Sequence, residues 1–383
     1  MRQLVLSGRK IVTGAGSLTY LQELSFKRAL VITGGGSMIR TGVIGRAGEF
    51  LEKNGAEVRI YSGVPKNPSI QEVQKGLKVC RDFRPDAVIA IGGGSAMDCA
   101  KAVLLFYEFP FLDFHNVLEY NSRGEIPADR KTALICIPST SGTGSEVTRG
   151  TVITDPDKEL KVPIMTDCLR PDVAILDADL TMTMPADIAA ETGMDALTHA
   201  IEAYTNHNLD DFDEGLCSSA IEGIVRWLPV SCREGTLEAR EKVHNYQAMA
   251  GIGFANVGLG MVHGIAHSFG AVYNMSHGLT NAVILPFVLE YNRRDATVAA
   301  KLEKLSYLCR CGNIIEKIRE IRKDLSIPDS FREAGITEEM YKAKYDILLD
   351  HAMLGATNVN PVKVNRGEMK KMLQTVYTGE ICF

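Results

Sequence analysis

The sequence predicts an N-terminal α/β domain built on a parallel sheet, Rossmann-like in plan, followed by an all-helical C-terminal domain. Three observations carry that expectation. Apolar runs ending in glycine alternate with helical stretches through the first half, the strand pattern stops near Pro185, and 383 residues exceed the usual size of one core. The boundary is drawn so that residues 1–185 form the cofactor-binding domain and 186–383 the helical one.

The elements follow in order. ALVIT at 29–33 reads as a buried strand, and GGGS follows at once before a helix expected over 38–54. EVRIYSG at 57–63 is a second strand, followed by a turn around Pro65 and Pro68 and a helix to about Phe83. DAVIAIGGGSAMDCAKAV at 86–103 repeats strand, glycines and helix. TALICIPST at 132–140 leads into SGTGSE, and DVAILDADL at 172–180 is the last clear strand. Such alternation places helices over a parallel sheet. Beyond Pro185, long helical patterns run on with short Gly or Pro interruptions.

Composition narrows the function classes. With 45% hydrophobic and 23% charged residues the chain reads as a soluble globular protein. A net charge of −5 without a Lys or Arg block argues against nucleic acid or an anionic membrane surface as partner. No signal pattern or membrane-length apolar run is seen. The nine cysteines are scattered, with Cys309 and Cys311 the only close pair, so reduced cytoplasmic thiols are the simplest reading.

Glycines at strand-to-helix turns let a ligand approach the backbone, and free amides at the helix start can cradle a pyrophosphate. That role is expected for Gly92, Gly93, Gly94 and Ser95, with Asp98 placed to orient the loop or bond the ligand. The first turn, Gly34, Gly35, Gly36 and Ser37, contains no carboxylate to repel a 2′-phosphate, and Arg40 is either a charge partner for one or a solvated surface residue. GxGxxG is absent after the first strand, so this is not the standard dinucleotide fingerprint.

The stretch MVHGIAHSFGAVYNMSHG, residues 261–278, concentrates three of the chain's eight histidines. His263 and His267 fall one turn apart if 261–269 is helical, and a break around Gly270 and Asn274 lets His277 return to the same space. Upstream, ETGMDALTHAIEAY sets Asp195 and His199 four apart. Asp195, His199, His263 and His277 can therefore converge, a donor set suited to ferrous iron, zinc, cobalt or manganese.

These motifs resemble those of the iron-containing (group III) alcohol dehydrogenases. The likeness runs nearly end to end, through GVPKNPS, IAIGGGSAMDCAKAV, IPSTSGTGSE, GMDALTHAIEAY and GLGMVHGIAHSFGAVYNMSHGLTNAVILP. It implies a dehydroquinate-synthase-like fold, metal ligation by Asp195, His199, His263 and His277, and a catalytic, non-ligating His267 near nicotinamide and substrate. It further implies cofactor contacts at Gly93, Gly94, Ser95, Thr140 and Thr143, and at Asn67, Lys161 and Leu180. NAD-preferring members often carry Asp at the position of Gly34, whereas the NADP-dependent butanol dehydrogenase and aldehyde reductase members resemble TGGGS. The resemblance thus implies Fe(2+), with Zn(2+), Mn(2+) or Co(2+) as alternatives, and NADP(H) ahead of NAD(H). Ser268 and Phe269 replace the common Pro-Leu after His267, which bears on substrate size.

The expected activity is hydride transfer between NADP(H) and small primary alcohols or aldehydes such as butanol and butanal, with the cleft between the domains as active site. Rival readings are an NAD-dependent lactaldehyde or 1,3-propanediol oxidoreductase, a dehydroquinate-synthase-like metal lyase, and a non-catalytic nucleotide sensor. A homodimer is expected, with an edge strand near residues 2–12 available for pairing.

Overall fold

Strands buried on both faces must be apolar nearly throughout, and they need helices as covers. The computed structural model, which describes residues 4–157 and 160–383, shows the first half of the chain meeting that demand. The chain divides into one unit ending at Met184 and a second, Pro185–Phe383.

The first unit opens with β1 (Lys10–Thr13) and β2 (Arg28–Gly34), then α1 (Ser37–Arg40), α2 (Val43–Lys53), β3 (Glu57–Val64), α3 (Ile70–Phe83), β4 (Ala87–Gly92) and α4 (Gly94–Glu108). It continues through α5 (Val117–Arg123), β5 (Ala133–Pro138), β6 (Gly150–Asp155), β7 (Leu160–Met165) and β8 (Val173–Leu176). Six strands form one parallel sheet in the order β1-β8-β5-β4-β2-β3. Side chains alternate across it: Leu30, Ile32, Val88 and Ala90 face the α3 and α4 side, while Ala29, Val31, Ile89 and Ile91 face α2.

Four local expectations change. The helix expected over 38–54 is two helices, because Gly42 takes a left-handed φ of 74° between α1 and α2. β6 and β7 form an antiparallel hairpin that the sequence reading did not foresee; β6 alternates buried with half-buried residues and has no continuous apolar run to mark it. The last strand stops at Leu176, where the Asp177 carboxylate accepts hydrogen bonds from the amides of Gly16, Leu18 and Asp179 and turns the chain into a short 3-10 helix. The N-terminal edge strand is only Lys10–Thr13, and residues 2 and 3 of the expected segment lie outside the described residues.

The second unit is helical throughout: α6 (Ala186–Thr205), α7 (Asp211–Arg233), α8 (Leu237–Val257), α9 (Met261–Tyr273), α10 (His277–Asn292), α11 (Ala296–Leu308), α12 (Ile314–Asp324), α13 (Glu338–Ala352) and α14 (Arg366–Thr378). Its core is one apolar cluster drawn from all nine of these helices. Gly270 lies buried inside α9 rather than ending it; the break comes at Asn274, in the left-handed region at φ 52°. No single helix among the described residues is long and apolar enough to cross a membrane, and α8 with α9 passes by composition only as a pair bent by 105°.

Candidate active site

Three helices of the second unit each contribute a pair of polar residues four apart, hence on one face. They are Asp195 and His199 on α6, His263 and His267 on α9, and His277 and Asn281 on α10. Close approach of α10 to α6 depends on Gly278, where a Cβ would stand 2.2 Å from the Glu191 carbonyl oxygen. The start of α9 has no side-chain cap of its own. Its first amides are met instead by Asn360, which accepts from Met261 N at 3.1 Å, and by Glu202 Oε1, which accepts from Val262 N at 2.7 Å.

Four side chains then meet. Asp195 Oδ1 lies 3.9 Å from His199 Nε2 and 3.8 Å from both His263 Nε2 and His277 Nε2, and the four ligand atoms all fall within 4.8 Å of one another. Bonds of about 2.0–2.2 Å to an ion between them would set such atoms roughly 3.3–3.6 Å apart, so a small inward shift closes the set. The second oxygen of Glu202 reaches His263 Nδ1 at 2.5 Å. With Nδ1 donating there, Nε2 keeps its lone pair for the centre of the cluster.

Burial sets the electrostatics. It drives His263 well below the usual imidazole value, with His199 adding to the effect, so the ring stays neutral and able to ligate. Glu202 is pushed up to about 7 by burial, against the opposing pull of the backbone donors of Val262 and Gly260. Exposure is graded: the His263 side chain is 1% accessible and that of His277 27%. His267 is half-buried on the open side, its ring stacked 5.1 Å from that of His277 and outside the four-residue set. His199 stacks on Phe254 at 4.3 Å from the opposite flank.

In the first unit the glycine turns gather at the carboxyl edge of the sheet. β2 has β3 on one side and β4 on the other, which makes the ends of β2 and β4 the point where strand order reverses, the usual place for a ligand crevice. A Cβ on Gly92 would sit 3.7 Å from Gly34 N, so the two turns are neighbours. Gly35 is exposed, Gly36 takes φ 107° ahead of Ser37, and the Arg40 guanidinium lies over Gly36, 3.2 Å from where its Cβ would be. Gly94 packs on Thr143 so closely that a Cβ would be 2.6 Å away, and Gly93 faces Thr140 at 3.4 Å by the same measure. Ser95 Oγ accepts from Asn67 N at 3.3 Å, with Asn67 in the left-handed region.

Other expected cofactor contacts are placed differently. Asp98 turns its carboxylate into the protein, accepting from Ser145 Oγ at 3.1 Å and Val152 N at 3.2 Å. Lys161 sits half-buried in the hairpin opposite Thr154. Leu180 is 2% exposed, its side chain in the core on the α2 side, so any contact with a cofactor would fall to its backbone. Sequence reasoning missed Glu202, Asn281 and Lys101. The first two were readable as one further step along the helical faces, seven after Asp195 and four after His277. Lys101 carries no signal in a helix whose neighbours are apolar.

Residues 8–178 match the family described as iron-containing alcohol dehydrogenase, and residues 189–377 match the C-terminal domain of the Fe-containing alcohol dehydrogenase family. The chain belongs to the iron-containing alcohol dehydrogenases. It is 41% identical over 379 residues to an NADPH-dependent butanol dehydrogenase of Clostridium saccharobutylicum, covering 97% of each chain. It is 33% identical to a 1-propanol dehydrogenase of Citrobacter freundii, covering 95% of this chain and 97% of that one. Among solved structures, the iron-containing alcohol dehydrogenase of Thermococcus thioreducens superposes with a TM-score of 0.91 at 35% identity, covering 99% of this chain and 100% of that one. The family read from the motifs is therefore correct, as is the fold class of an α/β sheet domain followed by helices.

Proposed function

We propose that this iron-type alcohol dehydrogenase moves hydride between NADP(H) and small primary alcohols or aldehydes, butanol and butanal among them, at a divalent ion held by Asp195, His199, His263 and His277. The observation that carries the reading is the convergence of one carboxylate oxygen and three imidazole nitrogens from three helices in a largely buried place. A bound divalent ion supplies Lewis acidity toward an alcohol or carbonyl oxygen, while the nicotinamide gives or takes the hydride.

The chain's own residues do the rest. Asp195 brings one negative charge and the imidazoles none, so a divalent ion keeps net positive charge toward substrate. Glu202 fixes the tautomer of His263, and the graded exposure leaves the His277 side for substrate. His267, half-buried and beside His277, is placed to pass a proton between the substrate hydroxyl and water. For the dinucleotide, the turns at Gly34–Ser37 and Gly92–Ser95, with Asn67, Thr140 and Thr143, offer amides and hydroxyls at the sheet edge. Lys161 stands in the adjoining hairpin as a further contact. NADP(H) is favoured by the absence of a carboxylate in the first turn and by Arg40, which makes no ion pair among the described residues. The NADPH dependence named for the Clostridium saccharobutylicum relative supports the same preference. Nine cysteines without a disulfide fit a reducing compartment.

Initial rates test this. Protein purified without oxygen, stripped of metal and reloaded with ferrous iron or zinc, should oxidise NADPH with butanal only when loaded, and oxidise NADH much more slowly. No oxidation of either cofactor with any metal counts against the activity; faster NADH oxidation removes only the NADP preference.

A further inference from the structure

A fifth polar group lies against the cluster. Asn281 is 0% exposed, one turn beyond His277 on α10. Its Nδ2 stands 2.6 Å from Asp195 Oδ1, 3.1 Å from His263 Nε2 and 3.3 Å from His277 Nε2, so three of the four ligand atoms converge on one side-chain amide.

Chemistry fixes which end of the amide faces them. A carboxylate offers only acceptors, so the group 2.6 Å from Asp195 must donate. His263 Nε2 is an acceptor too, because its Nδ1 hydrogen is directed at Glu202. The amide oxygen is thereby turned away, buried and without a hydrogen-bond partner. A stranded acceptor is destabilising, and asparagine is a poor residue for a helix interior. The chain accepts both penalties to hold two N–H groups at one spot, where acceptor atoms would otherwise repel one another.

We propose that Asn281 is a positioning residue of the metal centre: its carboxamide holds the Asp195 carboxylate toward the three imidazoles, so that the ligand set is assembled before an ion arrives. This rests on the metal reading of the same cluster. Preorganisation moves the ordering cost from metal binding to folding, and outer partners of this kind set affinity.

The test uses full-length protein stripped of metal and titrated with Co(2+) and Zn(2+) against a competing chelator. Asn281→Ala removes the amide and its volume, Asn281→Leu removes the amide at nearly constant volume, and Asn281→Ser keeps a shorter donor. Both apolar variants should bind about 10–100-fold more weakly than wild type, with serine recovering part of the loss. The rise in Tm on metal loading should shrink in parallel. The visible bands of the Co(2+) protein should also change, since they report how Asp195 is held. A packing role alone would lower the Tm of metal-free and loaded protein equally and leave affinity unchanged, which overturns the assignment to Asn281. Wild-type protein that binds neither ion would overturn the metal reading and this proposal together.

Discussion

Lys101 and Asp195 are both charged side chains sunk in apolar cores, one in each unit, yet their surroundings are arranged in opposite senses. Lys101 Nζ donates to the carbonyls of Ser145 at 2.6 Å and of Thr148 and Gly150 at 2.9 Å, three acceptors for three hydrogens. Burial pushes its pKa down, while Cys136, Asp98 and Glu146 pull it back up. Asp195 instead faces three imidazole nitrogens at 3.8–3.9 Å, none of them within hydrogen-bond reach, and takes a hydrogen bond from the Asn281 amide. Burying a charge is tolerable only when partners of the opposite kind surround it. The Lys101 network supplies those partners from the chain; the Asp195 cluster, on the proposed reading, completes them with a cation.

That contrast breaks first at the cluster. His263→Ala should abolish tight metal binding and lower kcat/KM on the order of a thousandfold, whereas Glu202→Gln should weaken metal binding only about 10–100-fold. Chelator competition and initial rates check both. Retention of wild-type affinity by His263→Ala would show that the convergence is not a metal site.

Lys101→Met probes the closed network. Three carbonyls lose their donor, so unfolding in urea should show a loss of roughly 2–4 kcal/mol, and KM for NADPH should rise because the loop carrying Thr143 is tied to Ser145. Metal affinity should stay at the wild-type value. A fall in metal affinity as large as that of Glu202→Gln would mean the two networks are not independent.

A smaller effect comes from His244, a 0% exposed histidine on α8 outside the cluster, which burial alone holds down to about 4. Its folded pKa lies below the unfolded value of about 6.5, so the unfolded chain takes up the proton first. Its contribution to stability is complete above pH 6.5, is lost as pH falls toward 4, and is constant below. His244→Gln should therefore flatten the urea-derived stability of metal-free protein over that window by up to about 2–3 kcal/mol relative to wild type. An unchanged slope would mean that His244 is not held neutral. Buried histidine is thus no marker of a metal; convergence with other acceptors is.

Much of this was legible beforehand because helices and strands repeat. Asp195 with His199 and His263 with His267 announce shared faces through their four-residue spacing, and strands that end in GGGS announce a parallel sheet edge. The hairpin at 150–165 was not legible, since its strands are buried on one face only and lack the continuous apolar run of the central sheet strands. The burial of the Leu180 side chain was not legible either, because family position says where a residue sits along the chain and not which way its side chain turns. Asn281 escaped because asparagine is a common polar residue that gains meaning only from its neighbours.

By itself the sequence determined the fold class, the family and the four residues that converge, because periodicity and motif order are local properties written along the chain. Tertiary structure alone decided what surrounds those residues, Glu202 on His263 and Asn281 against Asp195, and in the first unit that Lys101 lies under the loop from Ser145 to Gly150. Those roles depend on distances between helices and loops brought together by packing, where one ångström separates a hydrogen bond from none.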